Sequence, residues 1–488
     1  MSALMASMVL VQLVAPQSKR GAIEWAGTEL FFPEAEHLHL GDLYSAMDAL
    51  AAHWGAVERR LSEALREHDA VPVEFSHDTT TIVCRIRYDD AQRAEIEAER
   101  QASGAAVRAG IVNDPPIRMR GHSKAKRHDL PQVKVEAILG DNGIIVHHSA
   151  PAGNTSDQVL VGPSVDALQH LGYRQVSWSS DAGFNSTANR EELRRRRRRS
   201  RLRRRARFEF VSSEGVGRTD VVEWVLSQPG RYAQHPDKPE VSFKCVVAQA
   251  TEEERTTGEP GPMRLYVVRR NRHEEEFALR TLDRHLRKIE AALAEGGEKA
   301  AKLLRHPTYR RYVRRDSRTK DEKGKPAGAV ILNRDAIART RSRAGKSVIA
   351  SDDTALHPLV LDDLYRNTAD LELAFRTLKS AIEVGPIRHR RADRIEAHVM
   401  IGVMAHNLGA WIARKTGMTI EALRRLFANL RVQEVESDAG RYWERTDLEP
   451  AQRQAFLALG YDLPPKRFTA TVLKPRVPRR RRAARAVG

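Results

Sequence analysis

Apolar and polar positions alternate with two different periods along this chain. Leu43, Met47, Leu50, Trp54, Val57 and Leu61 recur at intervals of three and four, which predicts an amphipathic helix. It belongs to a helical region covering residues 1–70, and residues 1–15 read as its first helix rather than a signal peptide, because no basic segment precedes the apolar stretch. Beyond Pro72 the period falls to two. Val71, Val73 and Phe75 alternate with Glu74, Ser76 and Asp78, the pattern of a half-buried strand, and residues 79–87 continue as β-type sequence. Residues 88–120 are charged and irregular, a loop or frayed helix. Residues 133–139 alternate again and lead through Gly140-Asp141-Asn142-Gly143 into Ile144-Ile145-Val146, a hairpin signature.

Asn154 to Asp157 reads as a helix start, the helix ends near Gly172, and residues 176–181 form a short strand that stops at Ala182-Gly183. Three strands in antiparallel sequence, a helix and a fourth strand resemble the opening of the ribonuclease-H-like fold. Asp78 and Asp181 then sit at or just past the ends of its first and fourth strands. An arginine-rich segment, 194–207, follows. Residues 208–350 have the texture of an inserted β-rich subdomain, with β-like runs at 220–226, 241–247, 264–268, 329–332 and 347–350 and a charged helix at 273–304. Two long helices are expected at 361–383 and 393–415. Residues 416–465 read as helical, and the Pro- and Arg-rich tail beyond Pro464 as disordered. The domain reading is therefore 1–70 helical, 71–193 first part of an α/β core, 194–207 arginine-rich, 208–350 inserted, 351–415 core helices, and 416–488 a helical end with a basic tail.

Composition narrows the class. The 488 residues carry a net charge of +18, and eleven arginines in 194–207 with seven bases in 474–488 account for all of it. The rest is neutral, and with 41% hydrophobic residues it can bury a core. Two cysteines, Cys84 and Cys245, exclude a disulfide framework and a Cys-based zinc site, and suit a reducing cytosol. No apolar run approaches the roughly 18 residues of a membrane span. Basic segments on such a body favour nucleic acid over membrane as partner.

Residues 361–390 hold the candidate chemistry. Leu364, Leu371, Phe375, Leu378 and Ile382 form an apolar stripe, and Tyr365, Glu372 and Lys379 lie seven apart beside it, nearly two helical turns each. By spacing alone this is an ordinary solvated face. The residues go further. Asp78-Thr-Thr, Gly121-His-Ser-Lys through Arg127-His-Asp-Leu-Pro-Gln, Pro151-Ala-Gly-Asn-Thr-Ser-Asp, Ser180-Asp-Ala-Gly-Phe, Tyr365 through Ala374-Phe-Arg-Thr-Leu-Lys-Ser, and Arg388-His-Arg-Arg-Ala-Asp-Arg-Ile-Glu-Ala-His resemble, in order, the bacterial insertion-sequence DDE transposases. The likeness covers roughly residues 40–415, and the group it points to has a Tyr-x2-Arg-x3-Glu-x6-Lys signature around its third acid.

That resemblance implies a ribonuclease-H-like mixed sheet flanked by helices, in which Asp78, Asp181 and Glu372 bind two Mg²⁺ ions, with Mn²⁺ able to substitute. Carboxylate oxygens suit such hard cations. Tyr365, Lys379, Arg376, Lys124, Lys126 and Arg127 are the candidate DNA contacts. The signature arginine position holds Thr368, flanked by Arg366 and Arg376. His389 and His398 read as structural, and Asn154 to Asp157 as a cap. The implied function is cleavage at terminal inverted repeats and strand transfer of the 3′-hydroxyl into target DNA, by a homodimer when synapsed, excising through a hairpin, in a cytoplasmic, nucleoid-associated setting. A ribonuclease-H-like nuclease without strand transfer and a DNA-binding remnant without catalysis are the alternatives.

Overall fold

A computed structural model describes residues 2–29, 31, 39–68, 71–104, 112–113, 115–184, 186–202, 207–213, 219–249, 263–318, 328–437 and 440–469. They form a mixed α/β protein of two compact units. One joins residues 1–173 to 369–488, and the other is residues 174–368.

The first unit begins with helices α1 (Ser2–Val14), α2 (Lys19–Glu29) and α3 (Leu40–His68). Strand β1 (Glu74–Val83) follows, then α4 (Asp90–Ala102), β2 (Gln132–Gly140), β3 (Ile145–Ser149) and α5 (Val161–His170). Helix α4 lies where the charge pattern left loop and frayed helix open. Its start is a capping box, in which Asp89 accepts from the Gln92 amide and Gln92 accepts in return. The three strands pair antiparallel in the order β3-β2-β1. The expected hairpin joins β2 to β3, with Gly143 at φ 75° as its turn requires. Asp78 does not close its strand as the alternation suggested. Residues 79–83 stay paired with β2, so Asp78 stands mid-strand opposite Ala137.

The second unit opens with β4 (Gln175–Ser180), α6 (Thr187–Leu202), β5 (Arg207–Ser213), α7 (Thr219–Ser227), β6 (Ala233–Gln234), β7 (Val241–Gln249) and β8 (Met263–Asn271). Helices α8 (Arg272–Glu295) and α9 (Gly297–Leu303), strands β9 (Val313–Arg315) and β10 (Val330–Leu332), α10 (Arg334–Arg343) and β11 (Lys346–Ser351) complete it. Its strands run in the order β4-β5-β11-β8-β7-β6, with β5 parallel to β4 and the remaining described pairs antiparallel. The β-like run at 220–226 is instead helix α7, whose Val221, Val222 and Val225 are buried on one helical face.

The arginine run is part of the fold through residue 202, because α6 continues through it. Arg194 is buried and bonded through Nε to Asp352, whose other oxygen takes Arg264 Nε at 2.9 Å. Asp352 is what admits Arg194, since a guanidinium enters a core only beside a counter-charge. Residues 203–206 and the tail from 470 lie outside the described residues.

Helix α11 (Pro358–Ser380) serves both units. Leu361 and Leu364 join the core of Val241, Phe243, Leu265, Val267 and Ile349, whereas Leu371, Ala374, Phe375 and Leu378 join that of Val133, Val135 and Ala137. Helix α12 (Ala392–Thr416) is apolar on two faces. Ile395, Val399 and Val403 enter the same core as Leu371, and Ala397, Met400 and Ile401 pack on Met8, Leu43, Met47 and Leu50. The chain ends with α13 (Ile420–Phe427), β12 (Val432–Ser437), β13 (Gly440–Arg445), α14 (Pro450–Ala458) and β14 (Arg467–Phe468). The reading of 416–465 as wholly helical is thus corrected. β12, β13 and β14 form an antiparallel sheet, and Phe31 covers Trp443 and Phe468 at ring separations of 4.7 and 5.5 Å.

Candidate active site

Sequence-distant motifs of the first unit converge on Asp78. Lys124 donates from Nζ to Asp78 Oδ1 at 2.9 Å and also to the Thr79 carbonyl. The amide of Thr79 donates to the same carboxylate oxygen at 2.6 Å, and the amide of Lys124 to Thr81 Oγ1 at 3.1 Å. Thr79 Oγ1 donates to Asp157 Oδ1 at 2.9 Å, where Lys134 Nζ arrives at 2.5 Å. Residues 121–124 and 151–157, two of the sequence motifs, are therefore tied to β1.

Glycines allow that approach. A Cβ on Gly121 would lie 2.5 Å from the Gly153 carbonyl oxygen, and one on Gly153 would lie 2.1 Å from that of Gln132. Gln132 Nε2, buried, donates to the carbonyls of His122 and Gly153 at 3.0 Å each. Beneath lies a buried polar network, with His77 Nε2 and Glu136 Oε1 2.7 Å apart and Ser149 and Ser164 donating to the same carboxylate. Burial pushes Glu136 up, but His77 and the two hydroxyls outweigh it and hold the carboxyl below its usual range.

Asp78 shares its sheet face with Ala137 and Val135, which pack on the second half of α11. Lys379 of that helix is accessible. Partial desolvation, then the charge of Lys124, lowers its pKa, while Asp78 acts in the opposite sense. Lys379 is thus within electrostatic reach of both. Glu372, seven residues earlier, is exposed, and its carboxylate makes no hydrogen bond or ion pair with a described residue.

The other expected residues divide. Asp181 belongs to the second unit, is exposed just past β4, and accepts from the Gly183 amide at 2.8 Å. Arg127 is exposed and held bidentate by Asp129 at 2.8 and 2.7 Å, which pulls that carboxyl down to about 2. Lys126 is exposed with φ 57°, and Arg376 is exposed on α11. The side chains of Tyr365 and Thr368 lie outside the described residues. His398 is structural, its Nε2 2.9 Å from the Val384 carbonyl oxygen. Ser156 caps the short turn before α5, as expected, but Asp157 is a partner of Thr79 and Lys134 rather than a cap. Lys134 went unnoticed because a strand lysine reads as an ordinary solvated position.

Among the described residues no group of three or more His, Cys, Asp or Glu side chains could hold a metal. In kind, the donors fit a hard divalent cation. Asp78 offers carboxylate oxygen, and Oδ1 already takes an ammonium at 2.9 Å.

The model of the transposase DDE domain family matches residues 108–408. The chain therefore belongs to the DDE transposases, and its function is DNA transposition. No curated protein matches it. Among solved structures it is similar to a chain in the cryo-EM structure of the piggyBac transposase synaptic complex with hairpin DNA. The two are 8% identical with a TM-score of 0.38, over 88% of this chain and 69% of that one, a likeness too distant to carry detail. No described helix is long and apolar enough to cross a membrane.

Proposed function

We propose that this transposase cleaves DNA at the terminal inverted repeats of an insertion sequence and transfers the freed 3′-hydroxyl to target DNA, with Asp78, Asp181 and Glu372 as its three acids. The observation that supports this reading is the convergence of residues 121–124 and 151–157 on Asp78 in a chain of the DDE family. Asp78, Asp181 and Glu372 would hold divalent cations, two Mg²⁺ in this reading with Mn²⁺ as substitute, which would supply Lewis acidity at the attacking and leaving oxygens.

The chain's own residues bind and orient. In hydrolysis a water oxygen bonds to phosphorus, the P–O3′ bond breaks, and a 3′-hydroxyl and 5′-phosphate result. In strand transfer that 3′-hydroxyl bonds to a target phosphorus and the target's own 3′-oxygen leaves. Asp78 is fixed by the Thr79 amide and Lys124, so its direction is set before DNA arrives. Lys379 and Lys124 supply point charges for phosphate oxygens. Synapsis of two ends implies a homodimer on DNA, and the Tyr-Glu-Lys signature implies excision through a hairpin.

The test is Asp181→Ala with Mg²⁺ and end-containing DNA. Binding without cleavage supports the reading, and undiminished cleavage overturns it. Joined products in a strand-transfer assay separate a transposase from a simple nuclease.

A further inference from the structure

A second cluster lies in residues 272–315, far in sequence from the three acids. Helix α8 buries Leu282, Leu286 and Ile289 against Leu303, Tyr312 and Val313, which fixes its inner face. Arg284 and Lys288, four apart, are exposed beside it. Their like charges at that spacing cost helix stability rather than adding to it. His285 stands between them, with the Tyr309 ring 5.5 Å away. Tyr309 in turn stacks on His306 at 3.9 Å with the planes 10° apart. Exposed Arg311 completes the face, its guanidinium 4.7 Å over the Tyr312 ring.

The local charge is of one sign. Burial, then Arg284, Arg311, Lys288 and His306, lowers the His285 pKa, and every charged neighbour in that set is a cation. Arg284, Lys288 and Arg311 form no ion pair with a described acid. Asp283, the adjacent acid on α8, is held at 3.0 Å by Arg341 instead. His306 is oriented by its own turn, because its Nδ1 accepts from the amides of Thr308 and Tyr309, each at 3.2 Å, which leaves Nε2 as the ring's donor. A face of cations and ring-borne hydrogen-bond donors, with no ion pair from Arg284, Lys288 or Arg311 to a described acid, fits a polyanion of closely spaced phosphates.

We propose that Arg284, His285, Lys288, His306, Tyr309 and Arg311 form a binding face for the sugar–phosphate backbone of duplex DNA. The choice of DNA as the polyanion rests on the proposed activity. The contact itself is independent of the acids and of metal. Neutralising phosphates release counterions, so each contact adds about 0.9 to the magnitude of the salt slope. As the phosphates offset the surrounding cations, His285 takes up a proton, so affinity through this face strengthens as pH falls toward its pKa.

The experiment is fluorescence anisotropy of the full chain with labelled duplex DNA lacking repeat ends, in EDTA, against salt and pH. Arg284→Glu, Lys288→Glu and Arg311→Glu together should lower the slope by about 2 to 3 and weaken binding at least tenfold at about 0.1 M salt. His285→Gln should weaken the gain in affinity between pH 7.5 and 6. Unchanged slope and affinity in a triple variant that melts like the parent overturn the proposal, as does tighter binding of an equally long RNA. If the triple variant melts early, Arg284→Gln with Lys288→Gln is read in its place, with a slope loss of about 1 to 2 expected and no loss overturning the proposal. Asp78→Asn is assayed separately, for cleavage of end-containing DNA in the presence of Mg²⁺. Its failure to abolish cleavage would overturn the catalytic reading and leave this one standing.

Discussion

Lys124 Nζ lies 2.9 Å from Asp78 Oδ1, 46 positions away in sequence, and that bond joins two motifs that β1 and the loop before β2 would otherwise keep separate. Lys124→Ala removes a group that orients a proposed catalytic carboxylate. Supporting contacts of this kind cost roughly 10–100-fold in activity or metal affinity when lost. Lys124 is a surface residue, so the melting temperature should move little. Cleavage rate and thermal melting, measured on the same preparation, check this.

Asp90 is buried and paired with Arg118, with Nε at 2.9 Å and Nη2 at 2.6 Å, while its other oxygen accepts from the amides of Ile117 and Arg118 and from Asn113. Burial raises its pKa, but these partners outweigh that and leave it lowered. A depressed acid contributes stability that is present above its unfolded pKa, about 3.9, and lost as pH falls through the folded value. Asp90→Asn should cost about 3–5 kcal/mol by leaving Arg118 buried without its counter-charge. Denaturant melts at pH 7 and at about pH 2.5, below the unfolded value, measure both effects, and the variant's loss should shrink at the lower pH.

In the second unit, Asp352 answers two buried arginines, Arg194 and Arg264. Asp352→Asn should destabilise by about 3–5 kcal/mol. Asp352→Asn combined with Arg194→Met should recover part of that. A double-mutant cycle of unfolding free energies is the measurement, and simple additivity would contradict the pairing.

His398 and His389 face acid differently from the carboxylates. Burial foremost, then Lys19, lowers His398 to about 3 and His389 to about 4. The unfolded chain binds these protons near pH 6.5 and the folded chain only near those lower values. Stability from both is therefore full above pH 6.5 and declines as pH drops through the window between. His398→Gln should flatten the decline between pH 6.5 and 5 in chemical denaturation, and an unchanged slope would place the acid sensitivity elsewhere.

Periodicity exposed the elements that bury one face. The α3 stripe, the β2–β3 hairpin and the Leu371-Phe375-Leu378 stripe of α11 all stand where apolar spacing put them, because burying one face demands that spacing. It misread Val221, Val222 and Val225, since a short apolar run suits strand and helix alike. It also missed β12 and β13, where Val432 and Tyr442 are only partly covered and the alternation is shallow.

The amino-acid order alone carried the class of the protein and the identity of its acids as candidates, because those depend on residue types at fixed offsets. Contacts across long loops needed the folded chain. Lys124 against Asp78, Lys134 with Thr79 on Asp157, and Arg194 on Asp352 join residues 46, 23, 78 and 158 positions apart. No periodic pattern encodes such pairs. They arise because a buried or half-buried charge must find its counter-charge wherever packing of the cores brings one near.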